Sequence, residues 1–250
     1  MRLDHLVSQK YGFTRNKSQQ LIKNGLISIH GIVHTKTAFE VTEEDILEIR
    51  EDKSITWVSR SAGKLDGFFE ALKWVNIDIH IYGTHCLDIG SSTGGFTQVL
   101  LERWALHIDA VDVGSDQLHT TIRNNKKVSS YEKMDIRNFT LPHETYDSIT
   151  VDVSFISLRE ILPELSRFSN EGTQIFLLFK PQFEVWRENL RKTGVPKNAK
   201  IIENSLTEFE TLLRKYKYTI VYKAKASVIG EAGNQEWIFF VKKYEKMLDV

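Results

Sequence analysis

One cysteine, Cys86, serves 250 residues, so the chain can form no internal disulfide and a reducing, cytoplasmic setting is expected. Cys86 stands in an apolar, strand-like run, which suits an inert core thiol. Long apolar runs are missing as well. The stretch Ile175-Phe176-Leu177-Leu178-Phe179 is strand-sized, well short of the ~18 residues of a membrane-spanning helix. The first residues hold neither an apolar core nor a cleavage-site pattern, which argues against a secretion signal. Internal repeats and low-complexity segments are also absent. His5, His30 and His34 share no metal-ligand spacing with Cys86, so no metal is expected.

Net charge is zero, but its distribution is uneven. Residues 1–38 carry six cations (Arg2, Lys10, Arg15, Lys17, Lys23, Lys36) and a single acid, Asp4, whereas residues 39–52 carry seven acids and one arginine. Residues 180–200 carry six cations and two acids, Glu184 and Glu188. Segregated charge of this kind suits local contact with a polyanion; a pair of solvated faces is the alternative. An apolar content of 41% and a charged content of 26% are ordinary for a globular chain long enough for one large and one small domain.

The first fifty residues read as a small α+β unit. Thr14 or Asn16 can cap a helix over 15–24 that stops at Gly25, with short strands at 26–29, 32–33 and 46–49. The expected division is a domain at 1–54, a linker at 55–60 and a second domain at 61–250. In the second domain a helix over 62–74 precedes strands and helices in alternation, with strands at 84–89, 108–113, 129–134, 146–152 and 173–179. A helix at 198–215 leads into strands at 218–227 and 236–242, read as an antiparallel hairpin at the sheet edge. Alternation predicts an α/β fold: parallel strands, right-handed crossovers and helices on both faces. Ligands in such sheets bind beyond the carboxyl ends of the strands.

One loop stands at such an end. Asp88, Gly90, Ser91, Ser92, Thr93, Gly94, Gly95 and Phe96 follow an apolar strand and open a helix. The spacing Gly-x-x-x-Gly-Gly is not the dinucleotide fingerprint, and no Lys-Ser/Thr follows to make a phosphate loop. An acid at its start suits a ligand with positive charge there, such as the amino acid moiety of S-adenosyl-L-methionine. By analogy with dinucleotide folds, Asp112, with Val113 beside it, is expected to accept from a ribose diol. Asp135, with Ile136, is expected to accept from the adenine amino group. The bland alternatives are a capping Asp88, a turn Asp112 and a surface Asp135.

Five runs appear in order: Trp57 to Leu65, the loop Asp88 to Phe96, Val151-Asp152-Val153-Ser154-Phe155-Ile156-Ser157-Leu158, Phe179-Lys180-Pro181-Gln182-Phe183-Glu184, and Gly233-Asn234-Gln235-Glu236. Together they resemble TlyA, the haemolysin-named group of rRNA ribose 2′-O-methyltransferases with an FtsJ-type, Rossmann-like catalytic domain. Arg2-Leu3-Asp4 and the run Arg15 to Gly25 resemble the small RNA-binding module of ribosomal protein S-four and pseudouridine synthases. The resemblance implies a catalytic tetrad of Lys64, Asp152, Lys180 and Glu236, S-adenosyl-L-methionine as donor, and a cytidine ribose of ribosomal RNA as acceptor. Shorter members are expected to modify only the large-subunit RNA, and this chain reads as the short type. Some members carry an arginine two places before the Trp-Val pair, where this chain has Ile55.

The chemistry is consistent with that set. A ribose hydroxyl is a poor acid, so a base and a nearby positive charge both help. A second ammonium about 4 Å away, at an effective dielectric of ~20, opposes the charge on a lysine by about 4 kcal/mol. Lys180 is the expected base, kept neutral by Lys64 and burial, with Glu236 steadying Lys64 and Asp152 orienting Lys180; which lysine loses its proton belongs to the coupled cluster. Arg2, Arg15, Lys17 and Lys23 in the first unit, Arg60 in the linker, and Arg187, Arg191 and Lys192 in the second unit are the expected RNA contacts. The target nucleotide is expected to be flipped or unpaired. Partners are then ribosomal RNA or a ribosomal subunit, not a membrane; a monomer is favoured, with the oligomeric state left open by the sequence. Two rival readings stand beside this one: a ribosome-assembly factor that binds cofactor without transferring methyl groups, and a membrane-active haemolysin, which would need a spanning or strongly amphipathic segment.

Overall fold

The structure is a computed structural model that describes residues 1–140, 145–230 and 233–244. It divides into two compact units, Met1–Trp57 and Val58–Val250.

In the first unit, helices α1 (Leu3–Tyr11) and α2 (Arg15–Lys23) precede strands β1 (Ile27–Ile29), β2 (Ile32–Val33) and β3 (Leu47–Ile49), which pair antiparallel in the order β2-β1-β3. The sequence reading places one helix here, and the structure has two. Helix α1 has no side-chain cap at Arg2, but its Leu3, Leu6 and Val7 fall at i, i+3, i+4 and are buried, and Gly12 ends it in the left-handed region at φ 71°. Thr14 caps α2 by accepting from the Lys17 amide. These helices and β1 enclose a small core that includes Leu21, Ile22 and Ile27, and Ile55, read from sequence as the start of a linker, packs against it.

The second unit begins with α3 (Ser61–Trp74). It continues through β4 (His85–Ile89), α4 (Gly95–Glu102), β5 (His107–Val111), the single turn α5 (Thr120–Arg123), β6 (Val128–Tyr131), β7 (Ser148–Val151), α6 (Leu158–Phe168) and β8 (Gln174–Phe179). The one-turn α7 (Pro181–Glu184), the long α8 (Ala199–Lys215), β9 (Tyr218–Lys225) and β10 (Trp237–Lys243) complete it. Seven strands form one sheet in the order β6-β5-β4-β7-β8-β10-β9. The first five are parallel; β10 runs antiparallel to both β8 and β9. The expected α/β class holds. The terminal hairpin is present too, with β9 outermost and β10 drawn inside the sheet.

The strand characters follow from position. β7 and β8 are buried along their whole length, as parallel strands covered on both faces must be, while β9 is half exposed along its length. The chain runs outward from β4 to β6 and then returns to place β7 on the other side of β4. That reversal opens a crevice at the carboxyl ends of β4 and β7. Among the described residues no helix is long and apolar enough to cross a membrane.

Candidate functional site

At the end of β4 the chain must pass the end of β7 closely. Gly90 has φ 80°, and a Cβ there would sit 2.6 Å from the Asp152 carbonyl oxygen, so a side chain at this position would force the two strand ends apart. Beside it lies a cleft of about 370 Å³. Of the residues expected to hold a cofactor, Gly90, Ser92, Asp112, Val113, Asp135 and Ile136 line this cleft. Asp112 also ties the loop together, accepting from the Ser92 amide at 2.8 Å and the Gly114 amide at 2.7 Å. Asp135 is clamped by Arg137 through both carboxylate oxygens, and the pairing holds its pKa below the usual carboxylate range.

Asp88 departs from expectation. It is fully buried and does not line the cleft; its carboxylate accepts from Thr97 Oγ1 at 2.6 Å and Thr150 Oγ1 at 2.8 Å. Desolvation pushes its pKa up to about 6, against the lowering effect of the two hydroxyls. The reason is register: β4 and β7 pair Asp88 with Thr150, which turns the carboxylate toward its neighbour strand and the start of α4. Ser91, Thr93, Gly94, Gly95 and Phe96 likewise build the turn and the first residues of α4 without lining the cleft.

The four residues of the implied tetrad come from α3, the ends of β7 and β8, and the residue before β10. The β8–β10 register pairs Phe179 with Trp237, so Lys180 and Glu236 emerge at the same end of adjacent strands. The structure joins the four as two ion pairs. Lys64 Nζ donates to Glu236 Oε2 at 2.6 Å, and Lys180 Nζ lies 2.6 Å from Asp152 Oδ1. Lys64, Lys180 and Glu236 are all at least nine-tenths buried. Lys180 aims its hydrogen bond at Ser154 Oγ, 2.8 Å away, so the Asp152 contact is an ion pair by proximity rather than an aligned bond.

Three residues that carried no assigned role in the sequence now matter: Ser154, Phe155 and Gln182. Gln182, two residues after Lys180, donates to Glu236 Oε1 at 3.2 Å and so links the Lys180 segment to the Lys64–Glu236 pair. Phe155 sits at φ 66°, is 92% exposed, and stacks obliquely on Phe183 at 5.3 Å. All three lie inside the sequence runs quoted above, two places or fewer from a tetrad member or from each other, and that proximity is the signal that could have found them.

The expected RNA contacts divide. Lys17 is a departure: its ammonium donates to the carbonyls of Ser54 and, at 2.8 Å, Trp57, and burial lowers its pKa. It clamps its own unit and presents no free charge. Arg2 and Arg15 pair with the buried Asp4 but keep about half or more of their side chains exposed. Lys23, Arg187, Arg191 and Lys192 are exposed, and Arg60 is partly so.

Comparison with known proteins completes the picture. Residues 57–243 match the FtsJ-like methyltransferase model, and residues 1–47 match the S4 domain. The chain belongs to the FtsJ-like methyltransferase family. Within it, the chain is 38% identical to the 23S rRNA (cytidine-2′-O)-methyltransferase TlyA of Campylobacter jejuni, over 97% of this chain and 100% of that one. It is 33% identical to the 16S/23S rRNA (cytidine-2′-O)-methyltransferase TlyA of Mycobacterium tuberculosis, over 95% of this chain and 87% of that one. A solved hemolysin-named structure from Streptococcus thermophilus superposes with a TM-score of 0.74 at 30% identity, covering 98% of this chain and 89% of that chain. This places the chain in the TlyA group, as its sequence motifs imply.

Proposed function

We propose that this protein methylates the ribose 2′-hydroxyl of a cytidine in large-subunit ribosomal RNA, with S-adenosyl-L-methionine as donor, in the cytoplasm. The observation that carries the reading is the pair of buried amine–carboxylate couples, Lys64–Glu236 and Lys180–Asp152, with Asp152 and Ser154 also lining the cleft. The cleft fits a nucleoside cofactor. Its size is within the range of small-molecule sites, Asp112 and Asp135 supply acceptors, and Val113, Met134 and Ile136 supply apolar wall for a flat ring. When bound, the donor supplies a methyl group already activated by its sulfonium. The task left to the protein is to orient the hydroxyl and manage its proton.

Lys180, in its neutral amine form, is the proton acceptor. Ser154 and Asp152 fix the position of its Nζ, and Lys64, held by Glu236, supplies the positive charge that stabilises the developing alkoxide. Gln182 keeps the two couples in one arrangement by bonding the far oxygen of Glu236. Phe155, exposed beside this cluster, offers a ring face on which an unpaired base can stack. Restriction to the large subunit draws support from the greater identity to the 23S-named relative than to the 16S/23S-named one.

The test is incubation with labelled donor and separated ribosomal subunits, followed by mapping of alkali-resistant linkages. The expected result is one labelled cytidine in large-subunit RNA. Label in small-subunit RNA as well would correct the substrate range, and cofactor binding with no label in either would overturn the reading in favour of an RNA-binding assembly factor.

A further inference from the structure

A second cavity, of about 410 Å³, lies between α6, α8 and the segment after Lys180. It shares no lining residue with the cofactor cleft, and the Phe155–Phe183 ring pair puts one ring in each wall. Part of its lining is committed to the fold. Glu184 is spent on Ser157 Oγ at 2.5 Å and the Leu158 amide at 2.8 Å, and Arg159 Nη2 neutralises Glu208 at 2.8 Å. What remains includes groups with hydrogen-bonding capacity. Arg159 Nε is buried, 3.9 Å from Glu184, and has no hydrogen-bond partner. Asn189 and Asn204 bring two amides, each both donor and acceptor. Trp186, at the mouth, is 80% exposed.

An indole face with donors and acceptors set around an open cleft matches a flat ring whose edge carries hydrogen-bonding groups, which is the description of a nucleobase. The adjoining sequence supplies the rest. Trp186 is followed within six residues by Arg187, Arg191 and Lys192, all exposed, so cations for phosphates flank the aromatic platform. We propose that this cavity receives an unpaired nucleobase of the RNA substrate close to the modified nucleotide, stacked on Trp186 and held at its edge by Asn189 and Asn204. The proposal rests on the RNA-methyltransferase reading above and adds a second base-binding site to it.

Two measurements on the full chain test it. The first is methyl transfer to large ribosomal subunits at varied subunit concentration, for wild type, Trp186→Phe, Trp186→Leu and Trp186→Ala. Stacking of one base is worth about 1–3 kcal/mol, so Trp186→Ala is expected to raise KM for subunits on the order of tenfold. Its kcat and cofactor affinity stay unchanged, and Trp186→Phe restores KM to within about threefold of wild type, since a phenyl ring still stacks. The second is photo-crosslinking of a single-stranded oligouridine hexamer carrying one 4-thiouridine, with crosslinked peptides expected across residues 183–189 or 201–208. An unchanged KM for Trp186→Ala overturns the proposal. So do crosslinks confined to other segments, or a KM defect that Trp186→Leu repairs as well as Phe, which would indicate contact with a ribosomal protein. Failure of wild type to methylate any ribosomal RNA would defeat the functional reading instead, and the crosslink would still judge the cavity.

Discussion

Asp4 in the first unit and Asp88 in the second are both fully buried, yet their surroundings treat the charge in opposite ways. Asp4 accepts from Arg2 at 2.9 and 3.0 Å, from Arg15 at 3.3 Å and from Gln19 at 2.6 Å, and the Arg2 hydrogen bond foremost holds its carboxyl well below the usual range. Asp88 meets two threonine hydroxyls and the Thr97 amide, and burial raises it to about 6. The small unit uses arginines to stabilise an ionised acid in a core too thin to exclude them. The larger unit places its acid beneath the glycine-rich loop with no cation beside it among the described residues, while its buried Lys64 and Lys180 pair with Glu236 and Asp152. In the first unit charge therefore supports the fold, and in the second it is gathered where chemistry is proposed.

The larger of two effects that sharpen this contrast is expected from Asp4→Asn. Losing the charge-assisted bonds from Arg2 and Arg15 costs the first unit about 3 kcal/mol at neutral pH. Because the folded pKa is depressed, that stabilisation is present above the unfolded value of about 4 and is lost as pH falls through the folded one. Hydrogen exchange of peptides from residues 1–57 would show faster opening in the variant at pH 7 and a flattened response below about pH 4. An unchanged exchange rate at pH 7 would break the comparison.

Asp88→Asn should act with the opposite sign and less strongly. A folded pKa near 6 means that the protonated form stabilises the second unit below about pH 4 and that this contribution is lost as pH rises through about 6. Between pH 4.5 and 7 the wild-type unit should lose about 2 kcal/mol that the variant does not, read by denaturant titration at both pH values. Equal slopes in the two proteins would show that Asp88 is not the titrating group.

Much of the fold was legible because it rests on periodicity. Buried strands such as Ile175–Phe179 and the strand–helix alternation read directly as a parallel sheet. The reading failed where geometry between distant segments decides. Helix α1 is one short apolar stripe without a capping side chain, too weak a pattern to stand apart from the strands that follow. Asp88 looked like a ligand because a strand end was its only visible context, and its pairing with Thr150 across 62 residues is invisible in sequence. Lys17 looked like a free cation for the same reason, since its carbonyl partners lie far downstream. For the tetrad, the family motif supplied the four positions. The pairing of Lys64 with Glu236 and of Lys180 with Asp152 was expected from the chemistry, but the bonds of Lys180 to Ser154 and of Gln182 to Glu236 came only with the packing of the strand ends.

The account turns on Lys180 as the group that takes the hydroxyl proton. The most direct test is Lys180→Ala, assayed for single-turnover methyl transfer to large ribosomal subunits alongside calorimetric cofactor binding. The account predicts that transfer falls by at least about 10³-fold, within the range of general-base catalysis, while cofactor affinity stays within a few fold. Near-normal turnover by the variant would contradict it.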